Sequence, residues 1–381
     1  MHERHDDTSK QSIENPLTPK LNSSFFPNSH FREAELTAAT TNKSSTKKNF
    51  LLRQKTLTTL GAFTLTIIAA ARSVISEHLP VGEARAPTPV SKQLVNRLEI
   101  PVFQVSPNTT IEHETYTLYT GHLTIEEEDH DYSLYFPKNM DEDLPFTNVI
   151  PMLENMTSIT SGVCEEFAEN GYVAGMLNRS ISFFEPGSKV IDVEKKLINA
   201  IGQQRAFIEM ASNLEGIDSS KMTCVGISMG GILGVMLGAV EPRINALGVI
   251  VAGGDFPTLM SKSSQSMVRK WADALMEENN WSEQDLENEL EHLLDPNDFA
   301  RALERDDILF AQALYDWVIP EQSYSSMYDA LGKPYTLKIH LGHYTTALVL
   351  QPLARKTIRF FDKKLREDES EDLKELIAQK E

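Results

Sequence analysis

Six short apolar runs recur along the chain from Asn148 onward, each separated from the next by stretches with helical spacing. They are "NVIPML" from Asn148, "YVAGMLN" from Tyr172, "MTCVGIS" from Met222, "ALGVIVAGGD" from Ala246, "ILFAQAL" from Ile308 and "YTLKIHL" from Tyr335. Strands apolar on both sides, alternating with helices, predict a mainly parallel sheet covered on both faces. Two earlier runs, "TYTLYTGHLTI" and "DYSLYFPK", alternate with period two instead, and the acidic turn between Glu126 and Asp131 joins them. They read as half-exposed antiparallel strands at the margin of that sheet. Val193, Leu197, Ile201, Phe207 and Ile208 fall on one face of a helix spanning 191–213,.

The interval 257–307 breaks this rhythm. It contains "VRKWADALMEENNWSEQDLENELEHLLDP", in which Trp271, Leu275, Leu286, Leu290 and Leu293 recur at helical spacing among many glutamates. The insertion is expected to be helical. Two readings stand open: a cap whose apolar stripe lines a pocket, or helices that only pack on the body.

The chain has 381 residues and 41% hydrophobic content, enough for a large core,. Its formal charge is −19, and because the first 55 residues hold nine basic against six acidic groups, the remainder stands at −22. A body that acidic repels phosphate backbones and anionic lipid headgroups, which argues against nucleic acid as a partner. Cys164 and Cys224 are the only cysteines; they read as buried free thiols, and no Cys/His cluster has zinc spacing,.

Residues 1–56 are rich in Ser, Thr, Asn, Pro and Lys and form a polar leader without apolar periodicity,. Lys47, Lys48, Arg53 and Lys55 then precede an apolar run of roughly 15 residues at 57–71,. The segment 57–76 is read as a signal peptide or single-pass membrane anchor, which predicts an exported, periplasmic or extracellular, or anchored protein. The Pro-containing "EARAPTPVSKQ" marks a linker over 77–99, a catalytic-type globular domain is expected over 100–365, and 366–381 form a charged tail,.

One short stretch carries the chemistry. The strand ending at Ile227 runs into "GISMGG", with Ser228 between Gly226 and Gly230, and a helical pattern starts at once. This is a nucleophile-elbow arrangement, in which a strained turn lifts the serine hydroxyl above the sheet edge, so its flanking positions must be tiny. The Met229 N–H, at the start of the following helix, faces developing negative charge. A serine alcohol needs a base to take its proton and an acid to orient that base. Asp316, after the "ILFAQAL" strand, and His343, after "YTLKIHL", follow in the order Ser, acid, His. Asp255, at the end of the preceding strand, competes for the acid role, and His340, expected inside its strand and facing packed structure, competes for the base. Asp306 and Asp307 precede their strand and read as solvated.

From about Tyr116 to Phe361, through "VGISMGGILG", "DPNDFARALERDDILFAQALYDWVIP" and "HLGHYTTAL", the chain resembles the α/β-hydrolase superfamily. The resemblance is to its esterase-like branch of dienelactone-hydrolase and acetyl-esterase type. It implies an eight-stranded, mostly parallel sheet with helices on both faces, and ester hydrolysis through an acyl-serine intermediate. It also implies Ser228 as nucleophile, Asp316 as acid and His343 as base, with no metal or cofactor and a small-molecule ester as substrate. The family usually places a His-Gly pair after its third strand, and the next residue donates the second oxyanion-hole N–H. Here Glu154 and Asn155 occupy that pair and Met156 follows, so Met229 and Met156 are the expected donors, with Asn155 an alternative. Two other functions share the scaffold: a peptidase or amidase on the same triad, and a catalytically silent binding protein.

Overall fold

A computed structural model describes residues 74–91, 95, 98–138, 140, 142–152, 157–178 and 182–378. The leader, nearly all of the expected signal or anchor segment, and the loop 153–156 lie outside the described residues. Among the described residues, no helix is long and apolar enough to cross a membrane.

The architecture is one mixed sheet of ten strands rather than eight. Six strands form its parallel centre: β5 (Leu144–Ile150), β6 (Val173–Leu177), β7 (Ile217–Ile227), β8 (Ile244–Ile250), β9 (Ile308–Ala313) and β10 (Tyr335–Ile339). Beyond β6 an antiparallel meander follows, made of β4 (Glu128–Pro137), β3 (Tyr116–Ile125) and β2 (Phe103–Glu112). On the opposite edge β1 (Ile75–His78) pairs antiparallel with β10, Ile75 facing Ile339. The two extra strands are β1, within the segments assigned to anchor and linker, and β2. The outermost strands are blunted, since β1 is four residues long and β2 carries Pro107 at a register shift,. The β3–β4 turn sits on Glu126 and Glu127, both with positive φ (50° and 73°), the geometry of a tight hairpin with right-handed twist,.

Crossover helices cover both faces. On one side lie α1 (Thr157–Glu169) and α9 (Leu350–Ala378), whose Cys164, Phe167, Leu353 and Phe361 pack on Val149, Val225 and Ile250. Arg355 and Glu166, a bidentate pair at 2.6 and 3.1 Å, fasten those two helices together. On the other side α2 (Val190–Ser212) and α3 (Met229–Gly238) bury Leu197, Ile201, Phe207, Ile232 and Leu233. Both cysteines are buried and free, and burial pushes both thiols up in pKa.

The 257–307 insertion is helical: α4 (Phe256–Lys262), α5 (Ser266–Asn279), α6 (Glu283–Leu290) and α7 (Pro296–Ala300). Its two readings divide between its halves. Trp271, Leu275, Leu286, Leu290 and Leu293 are buried in the main core, where Trp271 packs on Phe184 and donates to the Ser188 carbonyl at 2.9 Å. The pocket-facing residues come from α4, the α4–α5 link and the first turn of α5. After β9, α8 (Glu321–Ala330) returns the chain to β10.

Candidate active site

Ser228 follows the last residue of β7, near the middle of the sheet, and its backbone adopts φ 56° and ψ −118°. That region is costly for any residue with a Cβ, by about 1–3 kcal/mol. Neighbouring hydrogen bonds hold it there: the Ser228 N–H donates to the Ile250 carbonyl at 2.8 Å, and its own carbonyl accepts from Gly231 and Ile232. The flanking glycines are required by space. A Cβ on Gly226 would lie 2.1 Å from the Gly230 oxygen, and one on Gly230 would lie 2.2 Å from the Ile150 oxygen. At Gly231 the obstacle is the Ala252 methyl at 2.7 Å, so close packing of α3 on the sheet demands glycine there too.

The Ser228 hydroxyl and His343 Nε2 are 2.9 Å apart, and His343 Nδ1 lies 2.7 Å from Asp316 Oδ2. A carboxylate can only accept, which assigns the proton to Nδ1 and leaves Nε2 to accept from the serine hydroxyl. Both partners of the His–Asp contact are nearly dry, with side-chain exposures of 6% and 1%. Asp316 is tied down further: its Oδ1 accepts from the Val318 and Ile319 N–H groups at 2.8 and 2.9 Å. Its Oδ2 also accepts from the Tyr324 hydroxyl at 2.8 Å. Burial, and then the adjacent carboxylate, push the Tyr324 phenol well above its usual pKa, so it stays a donor. The sequence reading missed Tyr324. One signal for it existed, a tyrosine in the first turn of the helix that follows the acid.

The competing residues are elsewhere. Asp255 caps α4, accepting from the Thr258 N–H, while its own N–H donates to Asp295. The expectation that His340 faces packed structure is corrected: β10 stops at Ile339, and His340 is exposed with its N–H donating to the Val74 carbonyl. Asp306 and Asp307 are largely solvated, beside Arg305 and Lys364.

Met229 opens α3, where helix geometry leaves its N–H without an intrahelical acceptor beside the serine,. Glu154, Asn155 and Met156 lie outside the described residues. An apolar cleft of about 530 Å³, a volume that includes its open mouth, begins at Ser228 and Met229. Its wall is almost wholly apolar, with Phe184, Ile232, Leu259, Met260, Met267 and Val318 prominent. Among the described residues, no group of three or more His, Cys, Asp or Glu is placed to hold a metal ion.

No protein-family profile matches the chain, and no curated protein matches it in sequence. Among solved structures it is similar to acetyl xylan esterase 1 from Thermoanaerobacterium sp. JW/SL YS485, with a TM-score of 0.52 and 15% identity. That match covers 70% of this chain and 96% of the esterase. A weaker likeness joins it to Est1E from Butyrivibrio proteoclasticus, with a TM-score of 0.47 and 12% identity over 64% of this chain and 99% of that one. The class is thereby defined: this is an α/β-hydrolase fold. Within it, the serine, histidine and aspartate stand at the carboxyl ends of β7, β10 and β9 in one continuous hydrogen-bonded line.

Proposed function

We propose that the protein is a serine hydrolase of carboxylic esters. The observation that carries this reading is the Ser228–His343–Asp316 hydrogen-bonded chain, 2.9 and 2.7 Å at its two links, beneath an apolar pocket. Ser228 Oγ attacks the ester carbonyl while His343 Nε2 takes its proton, and Asp316 stabilises the resulting imidazolium. The Met229 N–H receives the oxyanion, with Met156 as the second donor. Collapse of the tetrahedral species breaks the carbonyl–alkoxide bond, and Nε2 returns the proton to the leaving alcohol. Water then attacks the acyl-serine by the same route, releasing the acid and restoring the hydroxyl. The apolar wall favours esters with an uncharged hydrophobic limb over charged aminoacyl amides.

Fluorophosphonate labelling and hydrolysis of short p-nitrophenyl esters test this directly. Ser228→Ala should abolish both, with unfolding behaviour preserved. Labelling that survives the substitution, or an intact chain that never labels, would leave a silent binding protein. Faster cleavage of aminoacyl amides than of esters would instead favour a peptidase.

A further inference from the structure

Ten large apolar side chains are exposed among the described residues, and five of them crowd the two loops that carry the acid and the base: Leu314, Tyr315, Trp317, Tyr344 and Leu348. Trp317 is the most open of these, at 81% exposure, with Leu348 at 67%. The loops are joined to each other. The Leu314 N–H donates to the Ile339 carbonyl at 2.8 Å and the Tyr315 N–H to the Leu341 carbonyl at 3.0 Å. The Trp317 carbonyl accepts from the Ser264 N–H, and the Ser263 hydroxyl donates to the Val318 carbonyl, so this rim is continuous with the pocket wall. An aromatic and aliphatic rim of this kind, contiguous with an apolar cavity, marks a surface made to be covered.

Charge points to what covers it. Although Asp255, Asp273 and Glu321 flank them and Glu185 follows the pocket-lining Phe184, segments 256–272, 313–320 and 340–352 themselves hold a single carboxylate. It is Asp316, whose side chain is 1% exposed. The same segments carry Lys262, Arg269 and Lys270, the first two beside Glu287 and Asp273. Tryptophan and tyrosine with bodies free and polar edges available are the residues that settle at a lipid–water boundary.

The chain's own entry point agrees. Seventy-three residues precede Val74, including the apolar run 57–71 and the basic residues before it. They join the fold at Val74, whose carbonyl accepts from the His340 N–H, three residues from His343. Val74, where the described chain begins, thus stands at the carboxyl edge of the sheet, on the side of the exposed rim.

We propose that this face docks on a lipid bilayer, with Trp317, Tyr344 and Leu348 at the interface and the mouth of the Ser228 pocket turned toward it. Hydrophobic esters dissolved in the bilayer would then reach the pocket without crossing water; this last step rests on the nucleophile assignment above, whereas the docking does not.

The test uses the full chain with phosphatidylcholine vesicles, plain or brominated along the acyl chains. Docking predicts sedimentation with the vesicles, and tryptophan emission quenched by the brominated lipid. Trp317→Phe should remove that quenching. Leu348→Ser should weaken partitioning by about tenfold, the order expected for exposing one buried aliphatic side chain. Matching thermal unfolding of the variants guards against misfolding. A chain that stays in the supernatant overturns the proposal. So does a chain that sediments without quenching, tethered by its N-terminal run alone, or quenching unchanged in Trp317→Phe. Acrylamide unable to quench Trp317 in vesicle-free protein would also overturn it, because another part of the chain or a second copy would then occupy the face. Fluorophosphonate labelling without vesicles reports on Ser228 independently, so failure of one reading is distinguishable from failure of the other.

Discussion

Tyr324→Phe isolates one atom of the support behind the triad. The ring is 2% exposed and packs against Phe310, so phenylalanine fills the same space and only the hydroxyl is lost. That hydroxyl donates to Asp316 Oδ2 at 2.8 Å, on the oxygen that also receives the His343 Nδ1 proton. A hydrogen bond to a buried charged group contributes about 1.5–3 kcal/mol. Its loss should lower the unfolding midpoint by about 3–12 °C, given roughly 2–4 °C per kcal/mol for a domain of this size. Two backbone donors remain on Oδ1, so the carboxylate stays in place but gains freedom to rotate. The expected kinetic result is a kcat reduced by about tenfold with KM nearly unchanged, because Tyr324 orients a residue that orients the base and touches no substrate. Chain-length-matched p-nitrophenyl esters and thermal unfolding supply the readouts. The decisive comparison is a cycle with Asp316→Asn: in that background Tyr324→Phe should cost much less, since the charge it serves is gone. Equal effects in both backgrounds would refute the argument. A kcat loss above about a thousandfold would refute it too, by making Tyr324 part of the reacting set.

Three further outcomes follow from the same geometry. Met260→Trp, at a 1%-exposed wall position, should shorten the accepted apolar limb; losing burial of two methylenes lowers kcat/KM for longer acyl esters by about tenfold and spares acetate,. Gly226→Ala should yield no folded protein, as its Cβ meets backbone at 2.1 Å, whereas Gly234→Ala within α3, with nothing nearer than 3.5 Å, should stabilise by about 0.5–1 kcal/mol in denaturant unfolding,. Glu241 is buried, which pushes its carboxyl up, yet hydrogen bonds and charge from Arg243 and Arg205 outweigh burial and hold its pKa below 4.5. Its stabilisation is therefore complete above the ordinary carboxylate range and is lost as pH falls through the depressed value. Glu241→Gln should cost about 3–5 kcal/mol at pH 7 and progressively less as pH falls below the ordinary carboxylate range, measured by urea unfolding.

The parts of the fold legible in the sequence are those whose signal is local. A strand buried on both faces is apolar through its buried part, so all six parallel strands announce themselves, and the serine between glycines is visible because steric exclusion acts within five residues,. Edge strands lack that signal. β2 is mostly exposed and includes "SPNTT", and β1 is four residues whose only reason to be extended is a partner near the other end of the chain. Hence the count of eight became ten, and His340, expected within a strand, stands outside it. Tyr324 escaped for a related reason: a phenol in an ordinary helix becomes a carboxylate's partner only once β9 and α8 are packed together.

The site thus joins a rigid part to a compliant one. Ser228 cannot drift, because its left-handed backbone is fixed by the Ile250 carbonyl on one side and the first turn of α3 on the other, with no room beside either glycine. The pocket wall contrasts with it. Met260 and Met267 contribute side chains with several rotatable bonds, on α4 and α5, which are linked through four hydrogen bonds of Ser263 and Gln265 rather than by the sheet,. Positional error at the hydroxyl would cost rate steeply, whereas error in the wall costs only a little dispersion energy. An enzyme built this way should discriminate poorly among hydrophobic limbs of similar size and sharply against a displaced carbonyl. Ester series that vary the limb at constant length should therefore differ by only a few-fold in kcat/KM, and a hundredfold preference for one branched isomer would show that the wall is as stiff as the elbow.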